Sequence, residues 1–145
     1  MSEQVNVGLI GCGSMGSELA RAVSDGKAGS ARIIALFDEY VPGRTTLAEE
    51  LGGNGASSPA EFDSVSELIT QPGLDLVVEC ASQVAVAAHA EAILSAGISM
   101  MVMSSGALAD PEFLETVSAI ATRTGASIYV PSGAVGGIDT LRAAK

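Results

Sequence analysis

Gly11-Cys12-Gly13-Ser14-Met15-Gly16 reads G-x-G-x-x-G, a spacing in which residues without side chains act by leaving room. Gly11 suits a tight turn out of a strand, Gly13 lets a diphosphate approach the backbone, and Gly16 lets a helix pack closely on a strand. An anion there is held by unpaired amides and the positive end of the helix dipole, with no lysine or arginine required. Glycines also mark ordinary turns, so the context decides. An apolar run, Val5–Ile10, precedes the motif, and Met15, Leu19 and Val23 recur every four residues after it, with Gly26 placed to end the helix. A second apolar run, residues 33–37, ends in Asp38, 22 positions past Gly16. An acid at that point accepts hydrogen bonds from the adenosine ribose hydroxyls and repels a 2′-phosphate, which favours NAD over NADP. Arg44, close by in sequence, keeps NADP open.

Further candidates stand at the ends of later strands. Ala81 and Ser82 follow one apolar run and Ser104 and Ser105 follow another, small residues that leave room for a nicotinamide ring. His89, the single histidine, sits mid-helix among alanines, away from the strand ends, and reads as a helical residue rather than an acid or base. Glu79 lies inside an apolar strand, where a carboxylate needs a partner; an edge position or a functional one would supply it. Cys12 and Cys80 lack metal-ligand spacing and read as two reduced thiols, and no metal site is expected.

These residues need strands alternating with helices. Beyond residue 38 the pattern predicts a short helix over residues 45–51, stopped by Gly52-Gly53, and a brief third strand near residues 55–57. Ser64-Val65-Ser66-Glu67 fits a capping box. A strand over 74–81, an Ala-rich helix over 84–95 and a strand over 98–103 come next. Asp110-Pro111 starts a helix running to about residue 124, with Leu114, Val117 and Ala121 on one face, and residues 127–130 form a last strand. The alternation implies an α/β fold: a doubly wound, mostly parallel Rossmann sheet of about six strands with helices on both faces.

Composition narrows the class. The 145 residues include 17 acidic and 7 basic side chains, a net charge of -10, with 48% apolar and 3% aromatic residues. An acidic chain with scattered cations is a poor partner for nucleic acid. Mean hydropathy is positive at +0.40, yet no apolar run approaches the roughly 18 residues of a membrane span. The first residues lack the pattern of a secretion signal, so no membrane partner and a cytoplasmic location are expected.

Several stretches together resemble the NAD(P)-dependent L-aspartate dehydrogenases. They are Gly8-Leu9-Ile10-Gly11-Cys12-Gly13, Val77-Val78-Glu79-Cys80-Ala81-Ser82-Gln83, the run from Met101-Val102-Met103-Ser104-Ser105 to Asp110, and Pro131-Ser132-Gly133-Ala134-Val135-Gly136-Gly137-Ile138-Asp139. The resemblance covers the whole chain. It implies reversible oxidative deamination of L-aspartate through iminoaspartate, hydride transfer to the nicotinamide, and a link to NAD biosynthesis in some members. It also implies residues 1–130 as a dinucleotide-binding domain and 131–145 as the truncated start of a substrate and dimerisation domain. The family's catalytic histidine, much of its homodimer interface and most substrate contacts would then lie beyond Lys145, and no histidine here matches it. The chain alone is expected to bind NAD and to turn over aspartate poorly or not at all. Two alternatives stay open: another amino-acid dehydrogenase, such as one like homoserine dehydrogenase, and a non-catalytic NAD-binding sensor.

Overall fold

The computed structural model describes residues 4–53 and 57–131. Its elements run β1 (Val5–Ile10), α1 (Ser14–Ser24), β2 (Ala31–Phe37), α2 (Val41–Gly52), β3 (Ala60–Phe62), α3 (Val65–Leu68), β4 (Leu76–Glu79), α4 (Gln83–Ser95), β5 (Ser99–Val102), α5 (Pro111–Thr124) and β6 (Ile128–Tyr129), with a 3-10 turn at Ser105–Ala109. The strands form one sheet in the order β3-β2-β1-β4-β5-β6, every neighbouring pair parallel. The strand order therefore reverses beside β1, and in open α/β sheets the crevice at that reversal is where ligands bind.

Both faces are covered. Val7 and Leu9 enter one core with Ala20, Leu47, Ala48 and Leu51 of α1 and α2. Ile10 and Val77 enter the other with Val86, Ile93 and Leu94 of α4 and Val117, Ile120 and Ala121 of α5. This two-sided burial is why the strands read as continuous apolar runs rather than alternating ones. Leu9, Leu36, Val77, Ile93 and Leu94 are fully buried, each contributing about 1.5–3 kcal/mol.

The capping signals work locally. Gly26, at φ +75°, closes α1: its amide donates to the Val23 carbonyl and that of Lys27 to the Ala22 carbonyl, both at 3.0 Å. Asp110 caps α5 through bonds from the Glu112 and Phe113 amides, and Ser64 accepts from the Glu67 amide at 3.2 Å.

Four expectations shift. The third strand lies at Ala60–Phe62, not near 55–57; it is a three-residue edge strand paired to β2, with no apolar run to announce it. Residues 54–56 lie outside the described residues. The second helix begins at Val41, four residues earlier than expected, because Pro42 fits the first turn, where an N–H is not needed. In α5 the core takes Val117, Ile120 and Ala121 with Phe113 against them, while Leu114 is 41% exposed. In α1 the sheet takes Gly16 and Ala20, and Met15 is 63% exposed, because a helix this close to a sheet has room only for small residues.

Candidate functional site

At the end of β1 the chain turns through Gly11 at φ +93°, a conformation open to glycine and rarely to others. A β-carbon on Gly11 would also lie 2.8 Å from the Cys80 carbonyl and the Ala81 amide. At Gly16 a β-carbon would overlap the Gly11 carbonyl oxygen. Gly13 is different: nothing lies within 4 Å of the place its β-carbon would take. Gly13 is also the N-cap of α1, where no side chain caps the helix and no acid stands in the first turn. The start of α1 thus keeps its positive potential, faced by open space. That is the cradle a diphosphate fits. The loop is held by Ser17, whose hydroxyl donates to the Cys12 carbonyl at 2.8 Å, and by Asp38, whose Oδ2 accepts from the Cys12 amide at 2.6 Å.

A cleft of about 280 Å³ opens beside this loop. Ile10 and Gly11 bring the end of β1 to it, Phe37, Asp38 and Glu39 the end of β2, Ala81 and Ser82 the end of β4, and Val84, Ala85, Ala88 and His89 one face of α4. The half-buried Asp38 also accepts from the Tyr40 amide at 2.7 Å through Oδ1, so its carboxylate is oriented by backbone on both sides. Ser82 caps α4, accepting from the Ala85 amide at 3.1 Å.

Of the residues singled out in the sequence, Gly11, Asp38, Ala81 and Ser82 share this cleft, while Gly13, Ser14, Met15 and Gly16 form the adjoining start of α1. Cys12 lines a neighbouring hollow with Tyr40 and Pro42. Ser104 and Ser105 stand at the end of β5, outside the cleft, and both donors of Ser104 are committed to Glu79. Glu79 is fully buried on a central strand, between β1 and β5, so the edge reading is excluded. Both cysteines are free. Burial, and then the charge of Asp38, pushes the Cys12 thiol up to about 12; burial, and then Glu79, pushes Cys80 up to about 11. Neither is a thiolate near neutral pH.

Two readings change. His89 is not remote from the strand ends: its ring meets that of Phe37 edge to face, 6.2 Å between centroids at 80°, and it lines the cleft. The signal was the spacing of Val84, Ala85, Ala88 and His89, at i, i+1, i+4 and i+5 on one face of α4. Arg44 turns away to β3. Only 6% exposed, it donates to Glu61 at 3.0 Å, to Asp63 at 2.9 Å and to the Phe62 carbonyl.

Fold and loop define the class, a doubly wound dinucleotide-binding domain. Residues 11–131 match the family described as "Homoserine dehydrogenase, NAD binding domain", and the chain belongs to that family. It is 41% identical over 139 residues to an L-aspartate dehydrogenase of Methanocella arvoryzae, covering 96% of this chain and 48% of that protein. With an L-aspartate dehydrogenase of Methanocaldococcus jannaschii it shares 36% over 141 residues, 97% of this chain and 50% of the other. The solved aspartate dehydrogenase of Thermotoga maritima superposes with a TM-score of 0.63 at 25% identity, over 97% of this chain and 51% of that one. The chain spans about half the length of the curated relatives it matches. These likenesses agree with the one the motifs carry.

Proposed function

We propose that this chain is the NAD-binding part of an enzyme that oxidatively deaminates L-aspartate. The observation that carries the reading is the joint geometry of the uncapped start of α1, with open space at Gly13, and the half-buried carboxylate of Asp38 in the adjoining cleft. In this reading the first-turn amides of α1 hold the diphosphate, Asp38 accepts from the adenosine ribose, and the adenine lies against Val84, Ala88 and His89. The nicotinamide, when bound, supplies the hydride acceptor. Preference for NAD over NADP is supported by the charge of Asp38 and by the commitment of Arg44 to Glu61 and Asp63, which leaves that guanidinium unsuited to a 2′-phosphate.

Aspartate as substrate is supported by the names of the relatives. The family description favours homoserine dehydrogenase-like chemistry as the second reading. With the first go the finer expectations of a substrate and dimerisation domain starting at 131, a homodimeric whole enzyme, a cytoplasmic setting and a link to NAD biosynthesis. Among the described residues no helix is long and apolar enough to cross a membrane. Residues 132–145 lie outside the described residues.

Calorimetric titration with NAD and NADP, for wild type and Asp38→Ala, tests the cofactor reading. The wild type should bind NAD more tightly, and the variant should lose or invert the preference. Equal wild-type affinities would remove Asp38 from its role.

A further inference from the structure

We propose that Glu79 is a positioning residue for the nicotinamide half of the bound dinucleotide, its buried carboxylate fixing the β4 and β5 loops against each other. The inference rests on the dinucleotide reading above. If the diphosphate sits on α1 and the adenosine at Asp38, on the β2 side, the other half of the cofactor must extend across the ends of β4 and β5.

At that place stands a carboxylate with no accessible surface. Among the described residues it has no cationic partner: the ion pairs are made by Arg21, Lys27 and Arg44. Its neighbours along the strand are Val77 and Val78, so an apolar residue would suit the core, and dehydrating a carboxylate there is costly. Three donors offset that cost. Oε1 accepts from the Ala81 amide at 2.7 Å and the Ser104 hydroxyl at 2.8 Å, and Oε2 from the Ser104 amide at 3.0 Å.

Every donor belongs to a loop at a strand end, so what these charge-assisted bonds fix is the relation of one loop to the other. The tie reaches further on both sides. Gly11 packs against the Cys80–Ala81 backbone with no room for a β-carbon, so a shift of Ala81 is felt by the glycine loop. Gln83, after Ser82, lies over Gly106 with no room for a β-carbon there either. One carboxylate thus sits where the glycine loop, the β4–α4 loop and the 3-10 turn after β5 meet.

The test titrates wild type, Glu79→Gln and Ser104→Ala with NADH, following nicotinamide emission, and with ADP-ribose, which lacks only the nicotinamide. Glu79→Gln puts an NH2 donor against N–H or O–H donors. The expected result is NADH affinity down about tenfold, with the emission change on binding diminished and ADP-ribose affinity within about twofold of wild type. Ser104→Ala, which removes one donor of three, should move the same way by less, and it carries the test if Glu79→Gln does not fold. Equal weakening of both ligands, or of neither, overturns the inference while leaving the dinucleotide reading intact. A wild type that binds neither ligand overturns both.

Discussion

Replacing Gly13 by alanine and, separately, Gly16 by alanine separates two jobs that one motif performs. Gly13 has φ -72° and ψ -164°, open to any residue, and its added methyl would touch nothing within 4 Å. Two stability effects nearly cancel. A less flexible unfolded chain contributes about 0.4–1 kcal/mol of stability, and alanine is a poorer N-cap than glycine by up to about 1 kcal/mol. The melting temperature should therefore stay within about 3 °C of wild type. The methyl nevertheless fills the space facing the start of α1, where a diphosphate oxygen would sit about 2.9 Å from an amide nitrogen. Losing one charge-assisted bond costs about 1.5–3 kcal/mol, a roughly 10- to 150-fold weaker NAD affinity. At Gly16 the methyl would overlap the Gly11 carbonyl oxygen, so α1 must move off the sheet at a cost of about 1–3 kcal/mol, and melting should fall by several degrees. Thermal melts by circular dichroism with calorimetric titration read both effects. A Gly13→Ala protein that melts like wild type and binds NAD equally well would show that the space at Gly13 is not where the diphosphate sits.

Three further outcomes are expected. Asp38→Asn can keep an oxygen on the Cys12 amide, at the cost of setting its NH2 against the Tyr40 amide, and it removes the charge, so the glycine loop should persist while the NAD-to-NADP affinity ratio narrows about tenfold; an unchanged ratio in titrations with both cofactors would exclude charge as the discriminator. Arg44→Ala leaves Glu61 and Asp63 without their cation and should destabilise by about 1–3 kcal/mol in urea melts, with the NAD-to-NADP ratio unaltered; a selective loss of NADP affinity would return Arg44 to the cofactor site. The Cys12 thiol titrates above its ordinary value of 9.0, at about 12, so the native state keeps a proton that the unfolded chain loses. Its contribution to stability is complete below pH 9 and lost as pH rises through about 12. Urea melts across that window should show a steeper decline for wild type than for Cys12→Ala, and parallel declines would contradict the assignment.

What could be read from the sequence was whatever the chain decides locally. The glycine motif with its flanking strand and helix, and the caps at Gly26, Ser64 and Asp110, are marked by residues a few positions apart, and the acid ending β2 by its place at the end of an apolar run, although the Cys12 amide it holds lies 26 positions away. Other features depend on where distant elements meet. β3 has three residues and is placed by pairing with β2 and by Arg44 reaching across from α2, so no periodicity marked it. His89 joins the cleft because α4 turns one face toward the end of β2, a choice made by packing. Glu79 could not be assigned until the strand order put β4 in the middle of the sheet, with the Ser104 donors on the next strand. The same holds for Leu114: the helix period was right, but α5 is rotated so that Phe113 rather than Leu114 meets the core.

The most direct measurement is an amide-resolved NMR titration of the chain with NAD. The largest shifts are expected at the amides of Gly13, Ser14, Met15 and Gly16, with smaller ones at Asp38 and along the cleft face of α4. Shifts confined to other surfaces, or none at saturating NAD, would rule out a diphosphate held at the start of α1.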